Sequence, residues 1–169
     1  MKWLEPLLPI AFDKNEIFTI VIVFITVIIL KLLPRAMKTS IFIFMYVFNV
    51  ALTVFGDYLL AGNPYNLYDT LDKNSGELFD FILHLIVYPS SILILISVYI
   101  CYSKKPLSFI FILCSAAVLI LLELISLSFD LFTYINWNIK YSFGVYIIIM
   151  AINTVVFRYL TGKYSKAVS

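Results

Sequence analysis

The chain has 169 residues, of which 63% are hydrophobic and 13% charged, and its mean hydropathy is +1.02. A soluble domain is roughly 45–50% apolar and about 25% charged, so this composition excludes a water-soluble globule and suits about four to six membrane spans of about 20 residues each. The net charge of +2, with bases dispersed at the ends of apolar runs, gives no footing for nucleic acid.

Residues 1–16 mix Trp3, Leu4, Leu7, Leu8, Ile10 and Phe12 with Lys2, Glu5, Asp13, Lys14 and Glu16, as expected of a segment lying at the lipid–water interface. The apolar run behind it ends in basic residues without a small-residue cleavage site, so the segment reads as part of the mature chain. The first span is expected over residues 17–33, the most lipid-like of all, interrupted by Thr19 and Thr26 before Lys31. Pro34 ends it within a basic turn of Lys31, Arg35 and Lys38. The second span, 40–61, carries Tyr46, Asn49, Thr53 and Asp57 within an arc of about 80°, a polar stripe that should face protein.

Residues 62–77 contain Asn-Pro, Asp-Lys-Asn and Ser-Gly turn chemistry and read as a polar outer loop in water. The third span, 78–102, brings Asp80, His84 and Ser91 within about 40° of one another, with Tyr88 at the margin. Pro89 frees the Leu85 carbonyl and is expected to kink this helix, with Ser90 and Ser91 at hand to satisfy the freed group. The fourth span, 107–127, places Ser108, Ser115, Glu123 and Ser126 on one face, which Asp130 continues if the helix extends. Residues 133–140 break the periodicity and supply Tyr134 and Trp137 for the interface. The fifth span, 141–160, groups Ser142, Tyr146 and Asn153. Cys101 and Cys114 lack metal-site spacing and read as small buried hydrophobes.

These elements make an all-α integral membrane protein, a bundle of five transmembrane helices in one domain. With the amino terminus outside, Lys31, Arg35, Lys38, Lys104, Lys105, Arg158, Lys163 and Lys166 lie inside, against Lys2, Lys14, Lys73 and Lys140 outside. That imbalance predicts an outer amino terminus and a cytoplasmic carboxyl terminus. The bias towards Ile, Phe, Tyr, Asn and Lys points to an AT-rich genome and so to a bacterial plasma membrane.

In this orientation Glu123 and Asp57 lie about 6 Å below the outer boundary and His84 about 9 Å, with Asp80 close to the surface and Asp130 at the rim. Ionisable groups inside a membrane mark functional sites by default, and these five residues are the candidate ligand-binding set. Against this stands a packing account, in which Asp57 and Asp80 cap helix ends and Glu123 bonds His84 or serines to hold the bundle. A single histidine argues weakly for a metal, and no nucleophile motif adjoins it. The abundant Tyr and Phe read as interface anchors and lipid-facing packing, not as a cofactor box, so no cofactor is expected.

The run from Glu123 to Trp137, with Tyr88-Pro89 before it, resembles a family of uncharacterised small multi-spanning membrane proteins of spore-forming Gram-positive bacteria. The resemblance rests on Tyr88 and Pro89 in a middle span, then Asp130, Leu131, Tyr134, Ile135 and Trp137, and covers roughly the carboxyl-terminal half. It implies a bacterial membrane location and a compact helical bundle, without an activity. Position 84, five before the proline, is acidic in that family and histidine here.

Three functions compete. The first is an outward-facing acidic pocket that binds or passes a cation or a polar lipid headgroup. The second is a structural or regulatory subunit, whose partners are the lipid bilayer and either another membrane protein or further copies of itself. The third is a membrane-embedded lipid-modifying enzyme, which needs His84 and Glu123 in contact.

Overall fold

A computed structural model describes residues 7–72, 77–103 and 108–167, with side chains to residue 162. Residues 1–6 of the interfacial segment, 73–76 of the outer loop and the basic turn 104–107 lie outside the described residues.

Helix α1 (Lys14–Leu32) starts ahead of the apolar run because Asp13 and Glu16 form a capping box. The Asn15 N–H donates to Asp13 Oδ1 at 3.1 Å, and the Asp13 N–H donates to Glu16 Oε2 at 2.8 Å. Its buried residues are Asn15, Glu16, Thr19 and Thr26, while Ile17, Phe24 and Ile28 on other faces are exposed. The lipid-like reading of this helix therefore describes only its outer surface. Towards the bundle it turns a polar stripe at helical spacing.

Helix α2 (Thr39–Leu60) stops at Ala61, and Gly62 makes the turn that follows. A Cβ at Gly62 would stand 2.3 Å from the Tyr58 carbonyl oxygen, so only glycine fits this close approach. The connection then enters strand β1 (Tyr68–Thr70). The third span consists of α3 (Leu78–Ile82), a π-helical turn (Leu83–Val87) and α4 (Tyr88–Tyr102). Helix α5 (Phe109–Ser128), strand β2 (Phe132–Tyr134) and helix α6 (Ile139–Ala167) complete the order.

Five helices are long and apolar enough to cross a membrane: Lys14–Leu32, Thr39–Leu60, Leu78–Tyr102, Phe109–Ser128 and Ile139–Gly162. The expected spans match these within three residues at each end. Helix α2 packs against α4 and α6, α5 against α6, and α1 against the π turn and α4. One apolar core joins Ile41 and Met45 of α2 with Ile92, Leu93 and Ile96 of α4, Phe111 and Leu119 of α5 and Met150 of α6. A second joins Leu71, Leu83, Val87 and Leu131.

Three expectations need correction. The two connections read as loop and interface pair with one another, β1 antiparallel to β2, with Tyr68 opposite Tyr134, Asp69 opposite Thr133 and Thr70 opposite Phe132. The fold is thus helical with a small sheet, and strands this short cannot display the alternation that marks a strand in sequence. The connection before α3 is also not wholly solvated, since Thr70, Leu71 and Glu77 are buried. The cysteines are exposed rather than buried, because Cys101 and Cys114 fall on outward faces of α4 and α5.

Pro89 has no N–H to offer the carbonyl four residues back, at Leu85, or the one five back, at His84. Both groups instead meet hydroxyls of α2. The Tyr46 hydroxyl donates to the Leu85 carbonyl, and the Thr53 hydroxyl, which donates to Val50 of its own helix at 3.1 Å, also lies 3.5 Å from the His84 carbonyl. The expected helpers behave otherwise: Ser91 donates to Val87 at 2.8 Å, and Ser90 is buried with its hydroxyl unpartnered among the described residues.

Candidate functional site

The start of α1, the end of α2, the start of α3, the end of α5 and the start of α6 all meet at the end of the bundle that the β-sheet covers. The contacts that fix this are the β1–β2 pairing and an ion pair between Lys14 Nζ and Asp130 Oδ2 at 2.6 Å. Beneath the sheet lies a cavity of about 500 Å³ bordered by all five spans. Phe18, Ile22 and Ile25 of α1, Leu119 and Leu122 of α5, and Val145 and Ile149 of α6 make its walls largely apolar. Ser142 and Ile149 both border it, so it extends about 10 Å along the helix axes. This volume falls within the range of small-ligand pockets, about 300–1,000 Å³.

Asp57, His84 and Glu123 line this cavity together. His84, on the π turn, is buried, and its Nδ1 lies 3.0 Å from the Asp80 carbonyl oxygen and 3.3 Å from Asp80 Oδ1. A carbonyl oxygen can only accept, so Nδ1 carries a proton and donates. The opposite ring edge presents Nε2 to Asp57 Oδ1 at 3.9 Å. The Tyr88 ring meets the imidazole edge-on, with centroids 5.0 Å apart. Asp80 thus positions the imidazole from behind and does not border the cavity.

Each cavity carboxyl is held by a tyrosine from the sheet. The Tyr68 hydroxyl donates to Asp57 Oδ1 at 3.0 Å. The Tyr134 hydroxyl and the Ser142 hydroxyl, the latter at 2.7 Å, both donate to Glu123 Oε1. Trp137 Nε1 donates in turn to Ser142 Oγ at 2.7 Å. Tyr68 and Tyr134 are direct cross-strand partners, so their side chains leave the sheet on one face. Burial, followed by the Asp57 carboxylate, pushes the Tyr68 phenol far above its usual range, and burial with Glu123 does the same for Tyr134. Both phenols therefore keep their protons and remain donors at any physiological pH.

Some polar atoms of the bordering residues have no partner among the described residues. Glu123 Oε2 and the Tyr88 hydroxyl are buried and receive no well-formed hydrogen bond among the described residues. An unmet polar atom in apolar surroundings is costly, and both atoms belong to residues that border the cavity.

Asp130 does not join them. Helix α5 ends two residues before it, and the Asp130 N–H donates to the Leu127 carbonyl at 3.1 Å while the Leu131 N–H donates to the Ser126 carbonyl at 3.0 Å. This is the Schellman arrangement, with Asp130 at its left-handed position, φ 56°. The side chain is 65% exposed and faces Lys14. Reading composition and spacing alone also missed Tyr68, Tyr134, Trp137 and Ser142 as partners of the acids. Ser142 already lay on a polar face, but nothing local ties residue 68 to residue 134.

No known protein family, curated protein or solved structure matches this chain.

Proposed function

We propose that this protein binds an amphiphile with a cationic headgroup, seated beneath the β-sheet, with its alkyl chain along the apolar walls. The observation that carries this reading is the composition of the cavity: apolar for most of its length, with Asp57, His84, Glu123 and Tyr88 among the residues that border it. An ammonium group supplies hydrogen-bond donors to acceptors that lack them and charge to two carboxyl groups. A bare ion would leave the apolar walls without a role.

The packing account covers a different part of the molecule. Asn49 of α2 and Asn153 of α6 are fully buried and exchange two amide hydrogen bonds, at 2.7 and 2.9 Å. Those amides satisfy each other and hold two helices together. Glu123 Oε2 has no such reciprocal pairing among the described residues. An enzymatic role finds less support, since His84 sits between Asp57 and Asp80 while Glu123 answers to Tyr134 and Ser142.

We further propose that the sheet-covered end faces outward from a bacterial plasma membrane, with the carboxyl terminus in the cytoplasm. The excess of Lys and Arg on the opposite side supports this orientation. The resemblance to small membrane proteins of spore-forming Gram-positive bacteria belongs to the same reading.

The test uses purified full-length protein in a maltoside detergent, titrated with dodecylamine or with dodecanol. Dodecylamine is expected to raise the melting temperature and dodecanol to do much less. Glu123→Gln and Asp57→Asn should each weaken dodecylamine binding about tenfold or more, the loss of one charged contact. Equal responses to the amine and the alcohol would sink the reading.

A further inference from the structure

A second group of acids lies outside the cavity lining. Glu16 in the first turn of α1, Asp72 shortly after β1 and Glu77 at the N-cap of α3 each place a carboxylate oxygen within 4.8 Å of the others. Glu16 and Glu77 are fully buried. Like charges this close and shielded from water repel strongly unless something neutralises them.

Two buried acceptor atoms at this place have no donor among the described residues. The capping bond from the Asp13 N–H occupies Glu16 Oε2, and Glu16 Oε1 is left without a hydrogen-bond partner. Asn15 donates through Nδ2 to Asp72 Oδ1 at 3.3 Å, which leaves its own carbonyl oxygen buried and equally without a donor. The other Asp72 oxygen accepts the Ile10 and Ala11 N–H groups, both at 3.1 Å, and so is held in position. Unmet acceptors beside clustered carboxylates call for a positive ion.

We propose that Glu16, Asp72 and Glu77, with the Asn15 amide oxygen, bind a hard divalent cation. All the donors are oxygens, with no nitrogen or sulfur, which is the ligand set of Ca²⁺ and Mg²⁺ rather than of zinc or copper. A spread within 4.8 Å fits around Ca²⁺, whose opposed ligand oxygens stand about 4.6–5.2 Å apart. The ion ties α1, the segment after β1 and the start of the third span into one unit. Because Asp72 follows β1 so closely, it also anchors the sheet that covers the cavity.

Melting of the purified full-length chain, stripped with a chelator and then supplied with CaCl₂ or MgCl₂ at millimolar concentration, tests this site. Ca²⁺ is expected to raise the melting temperature by about 5 °C or more, and isothermal titration with CaCl₂ should give one ion per chain. Glu16→Gln and Asp72→Asn, checked for helical content by circular dichroism, should remove that response. If neither ion moves the melting temperature of the unaltered chain, the proposal is overturned. A large drop in Lys73→Ala without any ion response would assign the neutralising charge to that lysine. An unchanged Ca²⁺ shift in Glu16→Gln would overturn it equally.

Discussion

Asp130 adopts φ 56° at the end of α5, and that single torsion turns its carboxyl away from the cavity and towards Lys14. Helical periodicity places residue 130 near the face of Glu123, so the expectation fails only because the helix has already closed. Aspartate tolerates the left-handed region better than most residues, but glycine occupies it without strain. Asp130→Gly should therefore be neutral or stabilising by up to about 1 kcal/mol, since the exposed Lys14 pair it gives up contributes only about 0.2–1 kcal/mol. Asp130→Val should cost about 1–2 kcal/mol. Denaturant unfolding in detergent measures both, and dodecylamine binding should survive in Asp130→Gly. Glu123 is the opposite case: mid-helix, with a fixed direction, it lies on the protein-facing side that its spacing from Ser115 predicts.

Within the third span, the cost of Pro89 is met by a neighbouring helix. The π turn delivers His84 to the cavity, and the Tyr46 hydroxyl satisfies the Leu85 carbonyl that the proline leaves free. Tyr46→Phe should destabilise the bundle by about 1–2 kcal/mol, the cost of a polar group left without its partner. In a Pro89→Ala background residue 89 regains an N–H, and the same substitution should cost less. A double-mutant cycle by thermal unfolding reads the difference; equal costs in both backgrounds would mean that the tyrosine does not act through the proline. Helix α1 carries a related lesson. Its composition reads as a plain lipid-facing span, yet Asn15, Glu16, Thr19 and Thr26 recur on one buried face. Two threonines seven residues apart are the only trace of that stripe within the apolar run, and by composition Asp13 and Glu16 belong to the interfacial segment.

Across the whole molecule, one end is closed by the sheet and the other carries the connection between α1 and α2. The proposed orientation places Asn136, beside the sheet, outside, and Arg35 inside. With Cys101 and Cys114 replaced by serine, Asn136→Cys should react with a membrane-impermeant maleimide on intact cells, and Arg35→Cys only after lysis. The reverse pattern would invert the topology. The sequence alone was enough to determine five helices long and apolar enough to cross a membrane, with limits close to those observed, because lipid demands long apolar helices and each one signals itself locally. It also placed Asp57, His84 and Glu123 on protein-facing stripes, since facing depends only on spacing along one helix. Tertiary structure alone decided that β1 pairs with β2, that Tyr68 and Tyr134 hold the two cavity acids, that Asp130 leaves them, and that Glu16, Asp72 and Glu77 converge. Each of these joins residues far apart in the chain through short segments without a period, and no local pattern records which distant partner such a segment will meet.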